Sequence, residues 1–412
     1  MPGRAAPVAA ASATGTLAPP AAVAARSSDP VKVTAQLQEF WRVRFPAEFG
    51  RPWRDIRAFV PVHARDKAPP CVDRASDVAD QAYYCPPADA VVWDADGLIP
   101  DVRRSAGAPG VLVVLAHEVG HAVQTRLGLD DLQTAHPADY PTILLEAMAD
   151  CYAGVAAAGL GLDAGERDRA VGSLADFRDP LGVEPGAADA HGNAFDRVAS
   201  FQDGFDGGAR PCADMTLANH PFTLRAFGSA ADAARGGNLP LPALLDGLGR
   251  DARSWYTSLT GRAGPPVADR STCAGWADQG PAAFCGADPA VVVDRARLDT
   301  VSTDIGDYAA GTLVAARYGL AVLAALGRPV TGRAAGDTAI CLAGAYTARL
   351  VDPKGTFTLS PGDLDEAVAV LLTDDWAARD AAGAVDPAER GYDRVDRFRA
   401  GVVGGSRACL GS

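Results

Sequence analysis

The sequence predicts an α+β fold that is mostly helical, carries a small sheet and occurs as two related copies along the chain. Apolar stretches such as 111–116 predict buried helices, and a short β-branched run at 91–93 predicts a strand. Cysteine-containing segments of the first half recur in the second half. A chain of 412 residues is also too long for one ordinary core.

The composition of the chain indicates which partners and which cellular location are to be expected. The formal net charge of −13 argues against a nucleic acid or an anionic membrane surface as partner. No apolar run reaches the ~20 residues of a membrane span. Residues 1–30, rich in Ala, Pro, Ser and Thr, are expected to be a disordered leader or stalk. Eight cysteines without a Cys-x-x-Cys pair favour disulfides, and therefore a secreted or extracytoplasmic protein that a tether could hold at the cell surface.

The spacing of apolar residues predicts the elements in chain order. Residues 33–45 are spaced as an amphipathic helix that ends before Pro46, and residues 241–259 are its weaker counterpart. The strand at 91–93 fits either a sheet edge beside a cleft, where an extended peptide could pair, or an ordinary buried strand. Glycines at 107 and 110 are expected to break the chain before a long helix, and residues 130–141 to form a polar connector.

His117, Glu118 and His121 form a His-Glu-x-x-His motif inside an apolar segment. Four residues along an α-helix turn through about 400°, so the two histidines project from one face and can reach one metal ion. Glu118 lies about 100° further round, beside the metal, where a general base is needed. Burial of these polar groups without partners would be costly, and a metal supplies the partners.

An acidic pair, Glu146 and Asp150, follows the second histidine of the motif. Their four-residue spacing places both on one helical face. Glu146 is predicted to be the third ligand, and Asp150 to accept the outer N–H of a coordinated histidine. Two histidines and one carboxylate predict a single zinc ion, in the first half of the chain. The alternative, a core helix whose histidines bond internally, leaves the acidic pair unexplained.

Three segments, 82–89, 115–124 and 146–154, resemble the neutral zinc metallopeptidases of bacteria, which are similar to the glutamate-ligand zincins. The resemblance extends to 190–193 and 196–198 and covers roughly residues 35–215. Ala122 stands where the family usually has a further histidine, and Asn193 and Phe195 also replace more typical residues. The resemblance implies a zincin-like metallopeptidase domain that hydrolyses peptide or protein substrates with Glu118 as the base.

The resemblance also places His191 in the His-Gly element of the family. His191 is therefore the candidate for stabilising the oxyanion that develops during hydrolysis. Tyr152 is an alternative, although a tyrosine next to Cys151 is expected to pack in the core. The other three histidines have no such support and are expected to lie at the surface: His63, His136 and His220.

The second half repeats the pattern of the first. Cys85 and Cys285 are each followed nine residues later by an aspartate, and Asp-Arg-Val occurs at 196–198 and at 393–395. This register matches the four cysteines of one half to the four of the other. It predicts four disulfides: Cys71–Cys85, Cys151–Cys212, Cys273–Cys285 and Cys341–Cys409.

In the same register, the chemical groups of the metal centre are missing from the second half. Gly319 keeps the place of Gly120, but the ligands and the base are replaced by Ala316, Arg317, Leu320 and Gly336, and Asp150 by Ile340. The sequence therefore predicts a zinc metallopeptidase domain at 31–229, a linker at 230–242, and a degenerate copy at 243–412 that packs on the first as a pseudo-dimer. Two other functions stay open: a zinc-stabilised binding or scaffold protein, and an amidase for a non-peptide amide.

Overall fold

A computed structural model of the protein describes residues 26–269, 276–286, 289–351 and 354–411. These residues form an α+β structure that is mostly helical with two small mixed sheets. The helices of the first half are α1 (Pro30–Phe49), α2 (Leu98–Ser105), α3 (Gly107–Leu127), α4 (Leu129–Ala135), α5 (Thr142–Gly159), α6 (Ala164–Asp176), α7 (Ala194–Gly207), α8 (Ala209–Ala213) and α9 (Ala230–Ala234). Those of the second half are α10 (Leu241–Thr260), α11 (Arg295–Asp304), α12 (Asp307–Ala325), α13 (Arg333–Val351), α14 (Asp363–Thr373) and α15 (Gly391–Leu410). The strands are β1 (Ala58–Val62), β2 (Ala82–Cys85), β3 (Ala90–Asp94), β4 (Val267–Asp269), β5 (Ala282–Cys285) and β6 (Ala290–Val293).

Helix α1 is longer than predicted at both ends. Asp29 caps its N-terminus by accepting a hydrogen bond from the backbone N–H of Val31 at 3.1 Å. The helix continues through Pro46, so the predicted end before this proline is wrong. Pro46 removes one backbone donor, but its carbonyl accepts from the N–H of Gly50, which ends the helix in the left-handed conformation.

The segment that leads into α1 is also part of the fold. Arg26 pairs with Glu166 and donates to the carbonyl oxygen of Leu160 at 2.7 Å. The predicted disordered leader therefore extends too far at residues 26–30. The rest of that prediction concerns residues outside the described part of the chain.

The first sheet has the strand order β1-β3-β2. Strand β3 is central, parallel to β1 and antiparallel to β2, and all five of its residues are buried. The sheet-edge alternative for residues 91–93 is therefore wrong, and the buried-strand alternative is right. Strand β2 occupies an edge of the described sheet instead, which matters for the site below.

Helices α3 and α5 form the centre of the first half. The chain breaks before α3 at Ala106, and Gly107 has a positive φ of 68°. Within α3, a Cβ on Gly120 would lie 2.8 Å from the carbonyl oxygen of Ala149 in α5. Gly120 therefore lets the two backbones approach closely, as its position between the histidines suggests. The predicted connector at 130–141 is partly helical, because α4 lies within it.

Helices α5 and α12 are long and apolar enough to cross a membrane by length and composition alone. In the structure 78% and 89% of these segments, respectively, are buried inside the protein. Core helices of soluble proteins pass the same test, so this is weak evidence for a membrane span. The sequence analysis did not single out these segments because charged residues interrupt both of them.

The element order of the second half resembles that of the first, except that α4 has no counterpart between α12 and α13 in the described residues. Its sheet has the order β4-β6-β5, with a parallel pair and an antiparallel pair as in the first sheet. A Cβ on Gly319 would lie 2.7 Å from the carbonyl oxygen of Ala339, as at Gly120. Helix α15 is interrupted at Gly405, whose φ of 62° and ψ of −169° resemble those of Gly208, 78° and −167°, between α7 and α8.

The two halves are in direct contact. Helices α6 and α7 of the first half pack against α14 and α15 of the second. The backbone N–H of Tyr392 donates to Asp168 at 2.8 Å, and its hydroxyl donates to Asp206 at 2.9 Å. The predicted linker at 230–242 is partly helical, because it contains α9 and the start of α10.

Three of the four predicted disulfides are present: Cys71–Cys85, Cys151–Cys212 and Cys341–Cys409. The fourth involves Cys273, which lies outside the described residues. The Cys151–Cys212 bond ties α5 to α8 and closes a loop with a sequence separation of 61. These disulfides are compatible with an extracellular location.

Candidate metal centre

The site lies where α3 and α5 face each other. His117 and His121 project from one side of α3 toward Glu146 on α5. The Nε2 atoms of the two histidines are 3.2 Å apart. The Glu146 carboxylate approaches both, with Oε2 3.0 Å from the Nε2 of His117 and Oε1 3.4 Å from that of His121. One donor atom from each residue therefore converges on a single point.

These three residues fit a zinc ion. With bonds of about 2.0–2.1 Å, tetrahedral zinc holds its ligand atoms about 3.3–3.4 Å apart, close to the distances found here. Glu146 Oε2 is buried and accepts no well-aligned hydrogen bond, although it lies 3.0 Å from a histidine nitrogen. A metal at the shared point would satisfy this oxygen and both nitrogens. The donor set of two histidines and one carboxylate is also one that zinc uses in catalytic sites.

Asp150 holds His117 from behind. Its Oδ1 lies 2.6 Å from the Nδ1 of His117, the nitrogen that faces away from the site. Arg197 on α7 binds the same carboxylate through two hydrogen bonds of 2.9 Å, and its remaining nitrogen donates to the carbonyl oxygen of Phe177 at 2.6 Å. This chain of contacts fixes the orientation of the His117 ring.

Arg197 is a site residue whose role the sequence analysis missed. It appears there only within the Asp-Arg-Val resemblance, and its partner Asp150 lies 47 residues earlier. The available signal is that an arginine recurs at Arg394 in the second half, within the repeated Asp-Arg-Val. Such a recurrence indicates that the arginine has a structural role, but it does not indicate which residue the arginine binds.

His121 is oriented by a second polar contact that the sequence analysis also missed. Its Nδ1 lies 2.9 Å from the Oε1 of Gln124, one turn further along α3. The amide nitrogen of Gln124 in turn donates to the carbonyl oxygen of Leu145, next to Glu146. Both histidines therefore keep Nε2 directed at the site, because their Nδ1 atoms are engaged on the other side.

Glu118 and the cluster open into one cleft of about 680 Å³. Glu118 is 7% exposed, and burial raises the pKa of its carboxyl. Burial alone would lower the pKa of His117, but the charges and hydrogen bonds of Asp150 and Glu146 outweigh it and raise the pKa to about 10. Burial alone would also raise the pKa of Asp150, and the charges of Arg197 and His117 hold it below its usual value.

His191 lines the same cleft. Its Nδ1 lies 3.4 Å from Asp179, which also accepts hydrogen bonds of 2.8 Å from the backbone N–H groups of His191 and Gly192. The hydrogen bond that the His191 ring donates to the Asp179 carboxylate raises the pKa of His191. The structure thus brings His191 together with the residues of the metal cluster, as the resemblance implies.

Tyr152 and the remaining histidines lie away from this cleft. Tyr152 is fully buried and packs edge-on against Trp41, so it packs in the core as expected. His63 and His136 are exposed, as predicted. His220 is buried and lies 3.1 Å from the hydroxyl of Ser200, so its prediction as a surface residue is wrong. The contact with Ser200 depends on how the chain folds, and no motif in the sequence indicates it.

The corresponding place in the second half is filled by the protein itself. Arg317, at the position of Glu118, is fully buried and donates to the carbonyl oxygens of Trp376, Ala377 and Arg379 at 2.5, 3.1 and 2.7 Å. Burial lowers its pKa to about 10. At Gly336, the position of Glu146, a Cβ would lie 2.0 Å from the carbonyl oxygen of Ala378. The segment that bonds Arg317 therefore occupies the space that the Glu146 side chain fills in the first half.

Fold and site together define a mostly helical α+β protein in which two histidines and one glutamate are grouped so that they could hold a metal ion. Residues 29–215 match the model of the family described as "Putative neutral zinc metallopeptidase", which confirms the resemblance drawn from the motifs.

The chain is also similar to two relatives from Escherichia coli, the "Uncharacterized protein YpfJ" of strain K12 and that of strain CFT073 of serotype O6:H1. Each is 31% identical over 147 residues, covering 31% of this chain and 50% of the relative. The chain therefore spans about half the length of the curated relatives it matches. No solved structure matches the chain.

Proposed function

We propose that the protein is a zinc-dependent metallopeptidase that hydrolyses peptide bonds at the cleft of its first half. The observation that carries this proposal is the convergence of His117, His121 and Glu146 on one point, with Glu118 beside them in an open cleft. The family match over the same segment supports it. A structural zinc site is normally closed by four protein ligands, whereas three ligands facing a cleft leave room for substrate.

Each residue around the centre has its own role in the proposed hydrolysis. When bound, zinc supplies Lewis acidity, which lowers the pKa of water and polarises a carbonyl. Glu118 accepts a proton from the attacking water and passes it to the leaving amine. His191 donates a hydrogen bond to the oxygen that gains negative charge. Asp150 and Arg197 keep the His117 ring in place throughout.

Strand β2 provides a surface for an extended peptide. Three of its residues, Ala82, Tyr83 and Tyr84, line the cleft, and in the described sheet β2 pairs only with β3. The other edge of β2 is therefore free to bind a substrate backbone as an added strand. This arrangement favours peptides or unfolded protein segments over compact amides, because a small molecule would not need a strand edge.

The zinc content of the purified protein tests the centre directly. We expect one zinc ion per chain after extensive dialysis, and its loss from His117→Ala, since this variant removes one of three ligands. Elemental analysis measures both. His136→Ala, which removes an exposed histidine, is the matched control and should keep its zinc. Absence of zinc from the wild-type protein, even after reloading, would refute the proposal.

We further infer that the second half is a duplicated copy that has lost its chemistry and packs on the first as a pseudo-dimer. The repeated strand order, the matched glycines and the matched disulfides support common descent. The contacts support the packing: α6 contacts α15, and α14, the counterpart of α6, contacts α7. Reciprocal contacts of this kind are typical of two-fold interfaces.

In this arrangement the second half also supports the wall of the cleft. Asp365 on α14 pairs with Arg178 at 3.1 Å and accepts a hydrogen bond of 2.8 Å from the backbone N–H of Ala194. Arg178 and Ala194 flank the segment that carries Asp179 and His191. Asp365 is therefore a positioning residue that holds this segment from the other half.

Asp365→Asn tests that role. We expect kcat/KM to fall about tenfold, on the order of 1.4 kcal/mol, while zinc content is unchanged, because the segment bearing His191 loses its ionic anchor. Kinetics with a peptide substrate measure the change. In a His191→Ala background the same substitution should have little further effect. Asp251→Asn, which breaks the Asp251–Arg349 pair inside the second half, is the control; equal losses from both variants would mean a general effect on stability.

A further inference from the structure

The second half contains an acidic cluster that the proposed peptidase chemistry does not use. Asp307 lies in the first turn of α12, and Asp363 and Glu366 lie in the first turn of α14. Each offers one carboxylate oxygen within 4.8 Å of those of the other two. In the register that matches Gly319 to Gly120, Asp307 corresponds to Ala108, so the first half does not share this cluster.

Backbone contacts hold each of the three carboxylates in place. In every case one oxygen accepts a hydrogen bond from a main-chain N–H. Asp307 Oδ2 accepts from Leu239 at 2.7 Å, Asp363 Oδ2 from Ser360 at 2.8 Å, and Glu366 Oε2 from Tyr308 at 2.7 Å. Each carboxylate has a second oxygen besides the one that this backbone contact holds.

Two of these second oxygens have no partner. Asp307 Oδ1 and Asp363 Oδ1 are buried without a hydrogen bond, in side chains of residues that are 2% and 6% exposed. A buried acceptor without a donor is destabilising, and three adjacent carboxylates also repel one another. Burial, reinforced by the charge of Asp307, raises the pKa of Glu366 to about 8.

The charged side chains around the cluster do not neutralise it. Arg235 faces Asp307 but pairs with Asp232 at 3.5 Å, and that aspartate adds to the negative charge near the cluster. Arg225 faces Asp363 but donates to the carbonyl oxygens of Leu359 and Val351 at 3.3 and 3.1 Å. Among the described residues, the unpaired oxygens of Asp307 and Asp363 therefore have no cationic side chain as a direct partner.

We propose that Asp307, Asp363 and Glu366 bind a hard divalent cation of the Ca²⁺ class. All three side chains offer oxygen, the ligand that Ca²⁺ and Mg²⁺ take, and none offers the nitrogen or sulfur that softer metals prefer. Glu366 is only partly buried and gives access from solvent. The cation ties the first turn of α14 to that of α12. Asp365, in that same turn of α14, is thereby held against the first half.

Calcium titration of the full-length protein, dialysed against calcium-free buffer that contains zinc, tests this site. We expect CaCl2 to bind with a Kd of about 10⁻⁵–10⁻³ M and to raise the Tm. Asp363→Asn and Glu366→Gln should each weaken binding about tenfold or more, because each removes a ligand charge. Asp299→Asn, which changes an exposed carboxylate of α11, should leave the affinity unchanged. Calorimetry measures the affinity and thermal unfolding measures the Tm.

Two results would overturn the proposal. One is a wild-type protein that responds to none of Ca²⁺, Mg²⁺ and Mn²⁺. The other is a calcium Kd for Asp363→Asn that equals the Kd of the wild-type protein. If this variant also had a higher Tm than the wild type in the absence of calcium, the carboxylates would share a proton and not a cation. Neither readout depends on peptide hydrolysis, so the site stands or falls separately from the proposed activity.

Discussion

Replacing Glu118 with Gln is expected to lower kcat by about 10²–10⁴ while the protein keeps its zinc. Glu118 lines the cleft and lies between His117 and His121 in the sequence. Glu146 and Asp150 are engaged with His117, so neither can take its place as the proposed base. Gln has nearly the same size and polarity but cannot accept a proton from water. Turnover of a fluorogenic peptide and zinc analysis of the same preparation measure the two effects.

The control for this experiment removes a different carboxylate from the same cleft. Asp130 also lines the cleft but does not belong to the cluster of His117, His121 and Glu146, so Asp130→Asn should change KM more than kcat. Full turnover by Glu118→Gln would exclude it as the base. A zinc-bound wild-type protein that cleaves no peptide, either in folded or unfolded substrates, would favour the scaffold alternative, and cleavage of cell-wall amides alone would favour the amidase.

The parts of the site that the sequence predicted are those that depend on helical periodicity. The four-residue spacings of His117 with His121, and of Glu146 with Asp150, fix which side chains share a face whatever the tertiary structure. Gly120 then indicated that another backbone comes close, and the structure places α5 there. The disulfide pairs were predictable because the repeat fixed the register of the cysteines.

What the sequence did not predict depends on contacts between distant segments. A short apolar run does not specify its neighbours, so the central position of β3 could not be distinguished from an edge. Arg197 reaches Asp150 from another helix, and no local pattern links the two. Pro46 lies inside α1 because the burial of Trp41 and Phe45 stabilises the helix beyond the cost of one missing donor.

The second half is another case in which contacts between distant segments could not be predicted from the sequence. The sequence indicates that its ligands are absent, but not what fills their place. Only the structure shows that the loss of a side chain at Gly336 admits the carbonyl oxygen of Ala378, and that Arg317 bonds the same segment. These contacts are consistent with the proposal that the second half is a non-catalytic copy.

Replacing Arg197 with Met is expected to lower the free energy of unfolding by about 3–5 kcal/mol, because it leaves the fully buried Asp150 without its ionic partner. The looser Asp150 should also weaken zinc binding through His117 by about 10- to 100-fold. Denaturant unfolding and zinc competition with a chelator measure the two effects. The second half provides the matched control, because Arg394 donates to the carbonyl oxygen of Leu371 instead of a carboxylate. Arg394→Met should therefore cost less, on the order of 1–3 kcal/mol.

A double variant separates stability from metal binding. The second half has Ile340 where the first has Asp150, so an apolar side chain is already accepted at that position. Asp150→Ile combined with Arg197→Met replaces the buried ion pair by apolar side chains. Such replacements are often neutral or stabilising, and we expect the double variant to be more stable than Arg197→Met alone. Its zinc affinity should stay low, since His117 still lacks its partner. If Arg197→Met were as stable as Arg394→Met and bound zinc normally, the Asp150–Arg197 pair would have no part in holding the centre.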